Sequence, residues 1–385
     1  MIGVLVVPKL YYLTRSYLPQ QSGGILIRVG AVNFLRKNKF KVIVVTPNYG
    51  SREIRQENDI LYLPLSYHLG LAMKMERIGF NEDYLDEWVK ITFDYLKNKV
   101  TKEDIIFTTS GGELGNIKLG YNLKGRISCK LVINLQDPID YTLVNGLKLD
   151  NSFHVSREKQ EAKYLNIADL IITSSETLQI SLQKKYPHLR DKIVNNYFGY
   201  IDKVSLIEKI PSTKLRIAYG GIFASLQSPE ILAQALESIE DIEVYFIGDS
   251  HKYKPLKHYF NRYHFISFLP REEFLKFMLQ QVDVGFVSLA NDYLGACVPS
   301  KIYEYINLGI PILAALPEGS AKDIINNYKY GVACDYNDLE SIRKAIIKLK
   351  DPNELDKFRR NILKDRDSWA MEERIKEVVN WLRNL

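Results

Sequence analysis

One short segment holds the residue types that could handle a phosphorylated ligand. In Val298-Pro-Ser-Lys-Ile-Tyr-Glu-Tyr-Ile-Asn-Leu-Gly-Ile-Pro-Ile-Leu-Ala-Ala315, Ser300 after Pro299 reads as an N-cap, and Gly309 before Pro311 as a stop. That punctuation predicts a helix over 300–308. A helix start offers unbonded backbone N–H groups and the positive end of the macrodipole, which suit a phosphate. Lys301 adds a full charge there. Glu304 lies three residues on, on the same face, where a carboxylate can accept two hydrogen bonds from a ribose diol. Donors and a cation at a helix start, with an acceptor one turn later, describe a nucleoside diphosphate site. The competing reading is an ordinary i, i+3 ion pair on a capped surface helix.

The elements that must position such a site are legible as apolar runs. Gly3–Val7, Lys41–Thr46, Ile60–Leu63, Asp104–Thr108, Lys130–Asn134 and Asp169–Thr173 are short and do not alternate, as expected of strands covered on both faces. A Gly23-Gly24 loop opens a helix running from Ile25 to Lys39, its core face formed by Ile27, Ala31, Phe34 and Leu35. The pattern restarts near residue 214. Strands are expected at Leu215–Tyr219, Glu243–Ile247, Phe265–Phe268, Val284–Ser288 and Ile310–Ala314, and helices at Pro229–Ile239, Arg271–Gln280 and Ser300–Leu308. Strands separated by helices mean parallel, doubly wound sheets. Tyr200–Lys214, charged and interrupted by Pro211, reads as the linker, and Ser368–Leu385 as an amphipathic terminal helix. Ligands are then expected at the carboxyl ends of the strands.

The 385 residues suffice for two domains. Hydrophobic residues at 46% and charged ones at 25% exclude disorder and fibrous architecture. No apolar run is long enough for a membrane-spanning helix. The first eight residues lack a basic region and read as a strand, not a leader. Cys129, Cys297 and Cys334 are widely spaced, which argues against a zinc site or disulfide framework and for a reducing compartment. The net charge of +6 is uneven: residues 1–50 contain seven Lys or Arg and no acidic residue. The N-terminal half therefore faces something anionic, such as a membrane surface or a phosphorylated substrate. No nucleic-acid-binding signature accompanies the charge. Lys9–Leu18, taken to follow the first strand, mixes basic and aromatic residues, and Leu69–Ile78 is apolar with two cations. Both suit an anionic lipid interface. For Leu69–Ile78 a core-packing helix is the preferred reading.

The 298–315 segment resembles the donor-site signature of retaining GT-B glycosyltransferases, most closely glycosyltransferase family 4 of the bacterial surface-polysaccharide type. Asn327-Tyr-Lys-Tyr-Gly-Val-Ala333, the Gly23-Gly24 loop, and Ala168–Glu176 followed by Asn195–Asp202 are similar to further stretches of that family. The resemblance implies an α/β GT-B fold: two Rossmann-like doubly wound domains facing a central cleft. Residues 1–200 would form the acceptor-side domain, with helix 366–385 crossing back, and 201–365 the nucleotide-sugar-binding domain. It further implies that Glu304 contacts ribose hydroxyls, that Ser300 and Lys301 lie at the diphosphate or ribose, and that Gly220-Gly221 approaches the phosphates. Leu269 would read the base through its backbone. Gly23 and Gly24 would form the acceptor or phosphate loop, and Asp137 would steady charge developing at the anomeric carbon. A tight turn at Gly220-Gly221, a buried loop residue at Leu269 and an Asp-Pro turn at Asp137 are the plainer alternatives. Glu113 reads as a helix-start charge and Arg216 as a snorkelling strand-edge residue. The sequence departs from the family at Ala296, where many members carry a first glutamate with seven residues between it and the second. The loop Gly295–Val298 would then offer backbone N–H groups instead.

The function implied is transfer of a sugar from a nucleotide donor, UDP-sugar before GDP-sugar, to a glycan or lipid-linked acceptor with retention. The enzyme would be a hexosyltransferase-type glycosyltransferase needing neither metal nor cofactor, because Lys301 and the helix end neutralise the diphosphate. It would be cytoplasmic and peripheral at the inner face of the membrane. A sugar-nucleotide epimerase and a non-catalytic nucleotide-binding partner subunit are the rivals.

Overall fold

The computed structural model describes residues 8–20, 23–77, 82–139 and 151–385. The chain divides into two compact units, Met1–Tyr197 with Ile375–Leu385, and Phe198–Arg374. Each unit is an α/β sandwich built on one sheet.

The first unit carries β1 (Lys9–Leu13), β2 (Lys41–Tyr49), β3 (Arg55–Glu57), β4 (Ile60–Leu65), β5 (Ile105–Gly111), β6 (Lys130–Asp137), β7 (Leu170–Thr173) and β8 (Ile193–Asn195). They pair in the order β3-β4-β2-β1-β5-β6-β7-β8, and all pairs are parallel except β3 with β4. β1 lies between β2 and β5, so the order reverses there. Gly3–Val7 falls outside the described residues. Lys9–Leu13, expected as a segment beyond the first strand, is itself the central strand: Leu10, Tyr11, Tyr12 and Leu13 are buried, and no lipid surface can reach them. The pattern hid this because Tyr-Tyr looks amphipathic, whereas parallel strands bury both faces. The helix Gly23–Lys37 starts at the glycines rather than after them, and its buried side is Ile25, Arg28, Val32 and Leu35. Ala31 and Phe34 are only partly buried. The helix Leu69–Arg77 does not pack as a core helix on its described apolar side chains, since Leu69 and Leu71 stand exposed; Ile78 lies outside the described residues. The terminal helix, Met371–Arg383, is shorter than expected. Its Ile375, Val378, Val379 and Leu382 join Leu10, Tyr12, Val44 and Val132 in the first unit's core.

The second unit carries β9 (Leu215–Gly220), β10 (Ile242–Ile247), β11 (His264–Ile266), β12 (Val284–Ser288), β13 (Ile312–Leu316) and β14 (Gly331–Asp335). All six are parallel, in the order β11-β10-β9-β12-β13-β14, the Rossmann 3-2-1-4-5-6 arrangement. β9 is thus central, and Arg216 is no edge residue: it is buried and ion-paired with Asp283 at 3.1 Å. Residues 366–374 stay with this unit because Trp369 is buried among Tyr303, Tyr328 and Tyr330, and its Nε1 donates to Tyr330 Oη at 2.8 Å. No helix among the described residues is long and apolar enough to cross a membrane.

Candidate functional site

In the second unit the strand order reverses between β9 and β12, where an open α/β sheet binds its ligand beyond the carboxyl ends. β9 ends on Gly220. Gly221 follows with φ +138°, a region L side chains rarely adopt. After β12 a short turn leads to the helix Ser300–Leu308. Its N-cap is Pro299, which makes no side-chain cap, so Ser300 is the first helical residue and not the cap. A proline at the cap locks the entry dihedral near its observed −60° and leaves no hydroxyl to occupy the first N–H groups. No acidic residue stands in the first turn. Gly309 closes the helix with φ 65°.

Lys301 does not pair with Glu304, which sets aside the surface ion pair. Its chain folds back over the sheet: Nζ stands 4.7 Å from the Tyr219 ring centroid. A Cβ on Gly221 would come within 2.7 Å of Lys301 Cε and 3.0 Å of Nζ. Gly221 is therefore glycine both for its dihedral and for this side chain. Lys301 makes no ion pair among the described residues, and burial alone lowers its pKa from 10.5 to about 8. A half-buried ammonium with no carboxylate beside it is uncommon, because burial penalises the charged form.

Glu304 is held elsewhere. Its Oε2 pairs with Arg271 Nη1 at 3.1 Å, and Asn307 Nδ2 donates to its Oε1 at 3.3 Å. Asn307 is fully buried and anchored in turn. Nδ2 donates to Asp202 O at 2.8 Å, while Oδ1 accepts from Val204 N and from Arg366 Nη2, each at 3.2 Å. Each carboxylate oxygen of Glu304 keeps an acceptor site free. Sequence reasoning missed Arg271 and Asn307. Their signal was present, since Asn307 is the same i, i+3 step beyond Glu304 that Glu304 is beyond Lys301.

β9, β10 and β11 end in register, with Gly220 opposite Ile247 and Ile247 opposite Ile266. β11 stops at Ile266, two residues earlier than expected, so Leu269 lies in the following loop and is partly buried. Phe268 beside it and Ile222 after Gly221 are strongly exposed, at 78% and 70%. A planar apolar ligand would find contact area there. The loop at Ala296 is less open than expected: Cys297 N donates to Leu294 O at 3.0 Å, so that N–H is spent.

In the first unit Asp137 ends β6, partly buried, in register with Gly111 at the end of β5. Glu113 is not a solvated helix-start charge. It is completely buried, pairs with Arg15 at 3.3 Å, and accepts from Gly111 N at 2.9 Å and Asn116 Nδ2 at 3.1 Å. Gly23 and Gly24 are exposed at the helix start, and a Cβ on Gly24 would meet nothing within 4 Å. Among the described residues no cluster of three or more His, Cys, Asp or Glu could hold a metal ion. Cys129, Cys297 and Cys334 form no disulfide, and all three are buried.

Residues 202–365 match the family of glycosyl transferases group 1. The match covers both sides of the switch point and the helix bearing Lys301 and Glu304. No curated protein sequence matches the chain. Solved structures similar to it include Anabaena Alr3699/HepE in complex with UDP-glucose, at 12% identity and TM-score 0.70, covering 98% of this chain and 100% of that one. A sucrose-phosphate synthase from Thermosynechococcus elongatus matches at 13% identity and TM-score 0.71, over 98% and 99% of the two chains. A trehalose-6-phosphate structure from E. coli bound with UDP-2-fluoro glucose matches at 11% identity and TM-score 0.70, over 98% and 99%. The α/β fold with two Rossmann-like sheets is that of GT-B glycosyltransferases.

Proposed function

We propose that this protein is a glycosyltransferase that moves a sugar from a nucleoside diphosphate donor, UDP-sugar before GDP-sugar, to a glycan or lipid-linked acceptor with retention. The observation that carries the reading is Lys301. It is a half-buried cation, with no ion pair among the described residues, at the start of the helix Ser300–Leu308, against Gly221 at the switch point of the group 1 segment. The similar structures bound with UDP-glucose and UDP-2-fluoro glucose support the same choice of donor.

In this reading the diphosphate lies against Lys301 and the N–H groups at Ser300. Glu304 takes the ribose hydroxyls, oriented by Arg271 and Asn307. The base rests near Leu269, between Ile222 and Phe268. The bond from the anomeric carbon to the phosphate oxygen breaks, the acceptor oxygen forms the new bond on the same face, and its proton passes to the departing phosphate. The protein's part is to position these groups and to stabilise charge, with Lys301 on the leaving phosphate. No metal is called for, and the basic first fifty residues favour work beside an anionic membrane.

A thermal-shift panel of UDP, GDP, ADP, CMP, dTDP and NAD tests the donor assignment, repeated on Glu304→Ala. Ligand at a hundred times its dissociation constant adds about 2.7 kcal/mol to stability. A shift with UDP that Glu304→Ala loses is the expected result. No shift with any nucleoside diphosphate would refute the reading.

A further inference from the structure

The first unit holds a cavity of about 350 Å³ at the amino ends of β1, β2 and β4. Open α/β sheets take their ligands at the opposite, carboxyl ends. This cavity is therefore a separate place in the fold, and the donor reading leaves it unused.

Its walls follow from the strand period. Side chains alternate across β1, and Leu10 and Tyr12 join Val42 and Val44 of β2 in the core. Lys9 and Tyr11 lie on the other face, beside their strand partners Lys41 and Ile43. The helix Asp86–Leu96 and the turn after it close that side: Tyr95, Leu96 and Lys99 line the cavity, and Tyr11 Oη donates to Lys99 O at 3.3 Å. Leu61 of β4 completes an apolar floor. Tyr11, Leu61 and Leu96 are buried, whereas Ile43 and Tyr95 keep free surface.

The mouth of this recess carries unbalanced positive charge. Lys9, Lys41 and Lys99 make no ion pair among the described residues. Lys97 and Lys102 near them do, with Asp94 at 2.7 Å and Glu103 at 3.8 Å. Lys9 and Lys41 are direct partners on strands that pair about 4.8 Å apart, where like charges destabilise each other. Lys99 Nζ rests 3.3 Å from the Tyr95 ring centroid. The carboxylates beside these lysines are engaged. Asp104 accepts from Lys9 N at 2.7 Å and from Thr101 N at 2.8 Å, and Asp59 pairs with Arg36 at 3.7 Å. Burial, then the charge of Asp104, pushes the Tyr11 phenol up to about 12, so it stays neutral and adds no competing charge.

Lysines on a flat surface would be a solvated face. Here an apolar recess opens between them, within the size range of small-molecule sites. An inorganic anion leaves that recess wet, and a neutral hydrocarbon leaves the lysines repelling. A ligand with one apolar body and one oxyanion head satisfies both. We propose that the cavity binds a small amphipathic anion, its alkyl or aryl body against Tyr11, Ile43, Leu61 and Leu96 and its carboxylate or phosphate head on Lys9 and Lys99. The site does not depend on the glycosyltransferase reading.

Calorimetric titration of the full chain with octanoate, octyl phosphate, octanol and inorganic phosphate tests it. Both octyl anions should bind more tightly than octanol or inorganic phosphate, by about tenfold or more. Lys9→Gln and Lys99→Gln should each weaken both anions by about threefold or more while octanol is unaffected, and Lys99→Arg should keep them. Ile43→Trp fills the recess and should abolish binding of both. Lys99 is exposed, so its substitution keeps the test open if Ile43→Trp fails to fold. A parallel arm sediments the chain with phosphatidylglycerol vesicles. Capture that Lys9→Gln and Lys99→Gln abolish would assign the head to a phospholipid, and binding of the free octyl anions without capture would assign it to a soluble amphiphile. No binding of either anion and no capture, equal affinity for octanol and octanoate, or unchanged binding in both glutamine variants would overturn the proposal. Binding confined to a chain shortened to start at Pro8 would make the residues before it the occupant, and would overturn it too. Failure of UDP to bind would remove the donor reading and leave this site standing.

Discussion

Lys301 titrates in a range unusual for lysine, and the proposed donor site should inherit that pH dependence. In the free protein burial holds its pKa at about 8, against 10.5 for a solvated lysine. A diphosphate against Nζ favours the charged form and returns the pKa toward 10.5 or beyond. The free protein therefore holds fewer protons than the complex, and binding takes protons up. At pH 7 roughly nine in ten free molecules carry the charge, and at pH 9 roughly one in ten does, as one unit on either side of the pKa dictates. Affinity for UDP should be nearly fully present at and below pH 7 and fall about tenfold from pH 7 to pH 9, roughly 1.4 kcal/mol. Uptake should be about half a proton per ligand at pH 8 and close to one at pH 9. Calorimetry in two buffers of different ionisation enthalpy measures that number directly. Lys301→Arg, whose charge does not titrate in this range, should bind UDP with a flat profile. The same depression has a stability sign. The unfolded chain stays protonated up to about 10.5 while the folded lysine loses its proton near 8, so this residue's burden on stability lightens as pH rises from 8 to 10.5. Lys301→Met should accordingly raise the melting temperature at pH 7 while abolishing UDP binding, a gain of about 1–3 kcal/mol given its partial exposure. A pH-independent UDP affinity between 7 and 9 with no proton uptake would refute the reasoning.

Three further outcomes are expected. Gly221→Ala both leaves a +138° φ to a side-chain residue and pushes Lys301 aside, so it should cost about 1–3 kcal/mol of stability and weaken UDP in titration at least tenfold. Asn307→Leu strands Val204 N, Arg366 and Glu304 without their shared partner; denaturant unfolding should show a loss of about 2–4 kcal/mol, and steady-state kinetics a lower kcat. Arg271→Ala frees Glu304 Oε2 and should change KM for the donor by severalfold, with stability within about 1 kcal/mol because the arginine is partly exposed.

The sequence reports some of this architecture directly and hides the rest for physical reasons. Continuous apolar runs marked ten of the fourteen strands among the described residues, since strands of parallel sheets are buried on both faces and need no alternation. The helix Ser300–Leu308 was found to the residue because glycine in the left-handed region ends a helix almost obligatorily. β3, β8 and β14 went unread. The first two are three residues each, and β3 is fully exposed, so neither carries a hydrophobic signal. β14 begins at Gly331, which marks a loop in sequence but here lets the β13 backbone pass close by. Lys9–Leu13 failed differently: two tyrosines in a central strand look like an interface until the sheet around them is known.

The site divides along the same line. Residue type and spacing are enough to single out Lys301 and Glu304, because a helix period places them on one face whatever surrounds them. What each is free to do depends on partners distant in the chain, Gly221 and Tyr219 for the lysine, Arg271 and Asp202 for the glutamate and its asparagine. Those contacts reverse the simplest expectation. Two opposite charges one turn apart should neutralise each other, and here they do not: the glutamate is engaged by an arginine from another helix, and the lysine is left half-buried with no ion pair among the described residues. The fold thus keeps a cation in an unfavourable state at the switch point of the sheet, at a cost in stability that loss of its proton relieves and that the proposed phosphate would also relieve. That arrangement makes no sense as packing, because a methionine of similar length would fill the space above Tyr219 without desolvating a charge. It does make sense as preorganisation for the proposed donor, in which the free protein already carries the strain that a bound phosphate would release.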